Sequence, residues 1–151
     1  MNKPLLQKID SLKNLQPDTK AVWGKMTPQH MVEHLIAAFQ MSTGELTVEC
    51  FNPPEKLPVL KKFLLSNRPL PKDFVNPIIG PDLHPLKFSN LNDAVTVLEN
   101  TINKYYSFFE NNPDAVFTNP TFGDLNGNEW EAFHKKHTTH HLLQFGLIEK
   151  E

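Results

Sequence analysis

The sequence predicts an all-α domain: a four-helix bundle with a long proline-rich crossover that carries one short extra helix. Three observations carry that expectation. Apolar residues recur every three or four positions in four separate stretches, the period of one helix face. The long stretches are bounded by capping and breaking residues. Eight of the thirteen prolines fall between positions 44 and 89, so regular structure is interrupted once, in the middle of the chain.

The elements follow in order. Leu5, Leu6, Ile9, Leu12 and Leu15 mark a short amphipathic helix after Pro4. Thr27 and Pro28 start a second helix, a hydroxyl N-cap followed by proline at the first helical position. It should run to about Thr43, before Gly44, with Met31, Leu35, Ala38, Phe39 and Met41 facing inward. Within the proline-rich stretch a short helix is expected over 55–66, burying Leu57, Leu60, Phe63 and Leu64. The remainder reads as an extended crossover or as a lid over a site. A third long helix should span about 91–111, with Leu91, Val95, Leu98, Ile102, Tyr105 and Phe109 in register and Asn112 and Pro113 ending it. The last helix begins at Asn126, where Glu129 completes an Asn-x-x-Glu capping box, and ends near Phe145 and Gly146.

Composition narrows the function. At 151 residues the chain forms one domain, spanning 1–151, with room for a real core. Apolar residues make up 39% and charged residues 21%, which excludes a disordered chain. A formal charge of −2 gives no electrostatic case for nucleic acid, and no apolar run is long enough to cross a bilayer. One cysteine, Cys50, rules out an internal disulfide. A cytoplasmic protein without nucleic-acid or membrane partners is expected.

Four of the seven histidines, His134, His137, His140 and His141, lie within eight residues of the last helix. His137 and His141 are four apart and share one helix face, a spacing at which two imidazoles can grip one divalent metal. Trp130, Phe133, His134, Gln144 and Phe145 fall in the same stripe, and the aromatics pull it inward. The competing reading is a pair of core histidines satisfied by backbone carbonyls. A shared cation is favoured, because two stacked imidazoles facing another histidine helix repel when charged and compete for acceptors when neutral. On the second helix His34 has apolar neighbours at helical spacing and is the best third ligand. His30, one turn earlier, could be a fourth ligand; a donor that hydrogen-bonds a ligand from behind or a solvated side chain is favoured. His134 is expected at the rim of the site, and His140, pointing about 100° from His141, and His84 at the surface. Asp124 to Lys135 resembles a calcium loop only at its start, and Cys50 has no nucleophile signature.

Two segments carry a family resemblance. Trp23-Gly24-Lys25-Met26-Thr27-Pro28-Gln29-His30-Met31-Val32-Glu33-His34-Leu35 is one. The other comprises Asn119-Pro120-Thr121-Phe122-Gly123-Asp124-Leu125, Glu129-Trp130 and Lys136-His137-Thr138-Thr139-His140-His141-Leu142-Leu143-Gln144-Phe145-Gly146-Leu147. Together they resemble the DinB superfamily of metalloenzymes, nearest to a bacterial branch ending in His-His-Leu-x-Gln-Phe-Gly. The resemblance implies a four-helix bundle, often dimeric, with three histidines around a divalent metal. By matching position these are His34, His137 and His141. Many relatives carry His-His-Arg-Gly-Gln where Leu142 and Leu143 replace the Arg-Gly here, which removes any role of that arginine in recognising anions.

The expected function is therefore a divalent-metal-dependent enzyme, with zinc, nickel, iron and manganese all compatible with histidine nitrogen. A thiol-dependent transferase or a hydrolase acting on a small-molecule substrate fits the resemblance, with His134 or His30 supplying acid–base help and Gln144 orienting substrate or water. The alternative is a non-catalytic metal- or small-ligand-binding bundle. A plain bundle with internally satisfied histidines is the third.

Overall fold

The computed structural model describes residues 3–72 and 83–149. Helices dominate them: α1 (Pro4–Lys8), α2 (Pro28–Ser42), α3 (Leu57–Leu64), α4 (Leu91–Asn111) and α5 (Gly127–Gln144). Two short strands, β1 (Phe117–Asn119) and β2 (Gly123–Leu125), join α4 to α5 as an antiparallel hairpin. The all-α expectation is corrected here. Strands of three residues are too short to show an alternating pattern, so periodicity could not announce them.

Capping chemistry sets the helix limits. Thr27 accepts the His30 amide at the start of α2, and Asn90 accepts the Asp93 amide at 2.8 Å at the start of α4. Asn126 and Glu129 form the full capping box of α5, at 3.0 and 2.9 Å. Each cap answers an amide that the helix itself leaves unpaired. The first amphipathic segment is α-helical only as far as Lys8 and continues as a tighter turn over Ile9–Asn14. Its apolar positions Ile9, Leu12 and Leu15 are three apart, the repeat of a 3₁₀ helix rather than an α-helix.

Helix α2 packs most extensively against α4, and α5 packs against α1, α2 and α3. Between them lies one core containing Leu5, Met31, Leu35, Leu98, Ile102, Leu125, Trp130 and Leu142. The hairpin reaches into it: the Phe117 carbonyl accepts the Trp130 indole N–H at 3.2 Å. Trp130 is fully buried, so this bond meets the one polar need of the largest core side chain. No helix among the described residues is long and apolar enough to cross a membrane.

Candidate metal centre

Along α5, every residue from His137 to Leu142 is buried. One face of that stretch meets α2; the other is covered by the loop around Trp23 and by residues near Leu70. On the α2 side His34, His137 and His141 converge. His34 Nε2 lies 3.0 Å and His141 Nε2 3.2 Å from His137 Nε2, and one nitrogen of each residue falls within 4.8 Å of the others. Nitrogens sharing one cation at about 2.0–2.1 Å stand about 2.8–3.4 Å apart for angles between octahedral and tetrahedral. The three histidines therefore lie close enough to bind one metal ion.

The hydrogen bonds behind the cluster settle which nitrogens face it. The Gln144 amide Nε2 donates to the Trp23 carbonyl at 3.0 Å, which turns Oε1 toward His141 Nδ1 at 2.7 Å. His141 must then carry its proton on Nδ1 and present a lone pair at Nε2. Gly24 makes room for this contact: its φ is +83°, and a Cβ there would stand 2.8 Å from Gln144 Nε2. His137 Nδ1 is buried with no partner. A single proton on His137 Nε2 can bridge to only one of its two neighbours, so neutral imidazoles alone leave the trio incompletely satisfied. A cation would meet all three Nε2 lone pairs at once, with the His137 proton then on Nδ1.

Burial also sets the charge state. It holds the His34 imidazolium down, with ionisation near 4, and neighbouring His140 and His84 push the same way. His137 and His141 lie well below the ordinary histidine range, again from burial first and from the facing imidazoles second. Neutral imidazole is the form that ligates a metal. Phe133 stacks on His137 at 5.0 Å and supplies an apolar wall.

Other expected site residues sit elsewhere. His134 is not at a rim. It is fully buried, stacked 3.8 Å from Phe39 and 5.4 Å from Trp130, with Nε2 3.0 Å from Ser42 Oγ. The aromatic residues that were to pull the stripe inward enclose this histidine completely. His140 is not at the surface either: it is 8% exposed, edge-on to Trp23 at 5.5 Å and hydrogen-bonded to the Leu70 backbone. His84 is exposed, and its carbonyl accepts from His30 Nε2 at 3.0 Å, while His30 Nδ1 meets Thr27 Oγ1 at 2.6 Å. His30 thus ties the crossover to α2 and is not part of the trio. Gln144 touches His141 rather than open space.

The crossover approaches the centre from both ends. Lys136 donates to the Ser66 and Arg68 carbonyls, and Glu33 accepts the Lys87 and Phe88 amides at 2.8 and 3.2 Å. The middle of the expected lid, 73–82, lies outside the described residues. Sequence reasoning assigned no role to Ser42 or Trp23; the only available signal was the hydroxyl or ring itself, which names no partner.

Comparison with family models, with curated proteins and with solved structures finds no match.

Proposed function

We propose that the chain is a divalent-metal protein of the three-histidine type, built on a DinB-like four-helix bundle, and that its chemistry is metal-dependent transfer to a thiol or hydrolysis. The observation that supports this reading is the convergence of the His34 and His141 Nε2 atoms on His137 Nε2, at 3.0 and 3.2 Å, with the His141 tautomer set by Gln144. Three neutral ligands leave coordination positions open, the pattern of catalytic rather than structural sites. A bound divalent cation would act there as a Lewis acid on a polar group of the substrate. The protein's own part is to hold the ligands: His34 from α2, His137 and His141 from α5, and Gln144 fixing the orientation of the last.

One observation favours the non-catalytic alternative. Neither of two cavities, of about 170 and 640 Å³, is lined by a histidine of the trio. Of the trio, His137 and His141 are buried and His34 is half-buried.

Metal analysis of protein purified without a nickel column tests the metal. Stoichiometric zinc, iron, manganese or nickel in the wild type, absent from His137→Ala, is expected. Equal trace metal in both would end the reading. Cobalt-substituted protein then separates the two functions. A visible-spectrum response to azide supports an open position, and no response favours the binding bundle.

A further inference from the structure

We propose a second binding site, for a small organic ammonium ion, in the cavity between the C-terminal half of α4 and the first turns of α5. Its volume of about 640 Å³ falls within the usual small-ligand range of about 300–1,000 Å³. Three rings contribute to its wall: Tyr105 has its centroid 5.0 Å from Tyr106 and 5.4 Å from Phe109. Glu131 joins them, its two carboxylate oxygens accepting from the Tyr105 and Tyr106 hydroxyls at 2.8 and 3.2 Å. Asp114 adds a second, exposed carboxylate at the edge. No lysine, arginine or histidine is among the described residues lining this space.

Aromatic faces and carboxylates together are the surroundings an ammonium ion seeks. Ring quadrupoles carry negative faces and a carboxylate supplies the countercharge; of the three rings, Tyr106 and Phe109 are half-buried beside this space and Tyr105 is buried. A purely structural role explains part of the arrangement. The Tyr106 hydroxyl also receives the Leu5 amide at 3.2 Å, so the phenols pin α1 to α4 and α5. That role uses one lone pair on each Glu131 oxygen and leaves the others free. It gives no reason for a cavity of this size beside them. Gly127 lines the same place, and a Cβ there would stand 3.1 Å from Phe109 Cδ1, a tight contact that glycine avoids.

An anion is the rival occupant, because the N-terminus of α5 opens here and carries partial positive charge. Glu129 already answers that end through the capping box, and Glu131 and Asp114 both repel an anion. Lys3, next to the edge residue Pro4, gives its ammonium to Asn103 at 2.9 Å. Cation recognition is the outcome of these charges. The site is separate from the trio, none of which lines it: Tyr105 reaches His134, with ring centroids 4.9 Å apart, and Phe39, at 5.4 Å.

Titration of the intact chain with choline chloride, followed by backbone amide shifts, tests the proposal. The controls are sodium chloride and the uncharged isostere in which a tert-butyl group replaces trimethylammonium. Saturable shifts centred on Phe109 and Gly127 are expected, with the isostere weaker by about tenfold or more. Glu131→Gln should weaken choline by about tenfold, and Tyr106→Leu by about 3- to 30-fold. Asp114→Asn, which leaves the phenol–carboxylate bonds intact, should weaken it by about two- to fivefold and decides the matter if Glu131→Gln does not fold. His137→Ala should bind choline as the wild type does, which keeps this test separate from the metal. Equal binding of the isostere, no saturable choline binding, or displacement by inorganic phosphate would each overturn the proposal.

Discussion

His134 and His137 are both buried on α5, less than one turn apart, yet their nitrogens meet different surroundings. His134 lies between Phe39 and Trp130 and reaches Ser42. His137 faces two other imidazoles. Both are kept neutral, and burial is the first cause in each case. Burial and residue type therefore do not separate a core histidine from a ligand. The partner does. A hydroxyl meets His134 Nε2 inside an aromatic core, whereas His137 Nε2 meets two imidazole nitrogens, although the Nδ1 of each is buried without a partner.

The largest test of that contrast acts on the His134 side. Trp130→Ala removes a fully buried ring and should cost about 3–5 kcal/mol in denaturant unfolding. Metal stoichiometry should survive, since Trp130 touches His134 and not the trio. Loss of metal in a folded Trp130→Ala protein would mean that the two histidines belong to one unit.

The matching test acts on the other side. A metal held at a free concentration of 100 times its Kd adds about 2.7 kcal/mol of stability. For a chain of this size that is about 5–11 °C in Tm. Chelation should remove this increment from the wild type and from His134→Ala, and should change nothing in His137→Ala. An increment that persists in His137→Ala would place the ion elsewhere.

Acid should expose the trio's charge state. His34 ionises near 4 in the fold, against an ordinary value of 6.5. Between those values the unfolded chain binds more protons than the native one. The native state thus has this contribution in full above about pH 6.5 and loses it as pH falls toward 4, by up to about 1.4 kcal/mol per unit for each such histidine. His137, His141 and His134 act in the same direction. Urea midpoints of metal-free protein should fall from about pH 6.5 downward, and bound metal should move that limb to lower pH. A flat profile down to the carboxylate range would show that the histidines are not buried as neutral groups.

Gln144 offers a smaller effect. It holds His141 through Nδ1 without approaching the ion's position, so Gln144→Ala should weaken metal by about 10- to 100-fold while leaving stoichiometry intact at saturating metal. Unchanged affinity would show that the His141 orientation is set by packing alone.

Much of this arrangement was legible in residues. Thr27, Pro28, Asn126 and Glu129 located the helix starts because capping is local chemistry. The spacing of His137 and His141 and the apolar neighbours of His34 gave the trio. The misses have a common cause. A helical wheel assigns an inner and an outer face, but α5 is buried all round near its end, where polar Thr138, Thr139 and His140 are all buried. Trp23 and Leu70, about 120 and 70 positions away, cover His140, and no period along α5 encodes that. The hairpin was invisible for the opposite reason: its strands are too short to have a period at all.

His140 gives the smallest expected effect and the sharpest test of which face binds. It adjoins His141, with ring centroids 4.9 Å apart, and is nearly as buried as His137, at 8% against 7% exposed. Composition and depth cannot tell the two apart. Its ring, however, turns toward Trp23 and hydrogen-bonds the Leu70 backbone, away from the His34 nitrogen. His140→Ala should therefore leave metal affinity within about threefold of wild type, well below the loss expected of a weakened ligand shell. It should loosen the Trp23 loop, visible as faster amide exchange there. Metal loss equal to that of His141→Ala would show that the binding face of α5 is rotated by one residue, and would transfer the contrast drawn for His134 to a different pair.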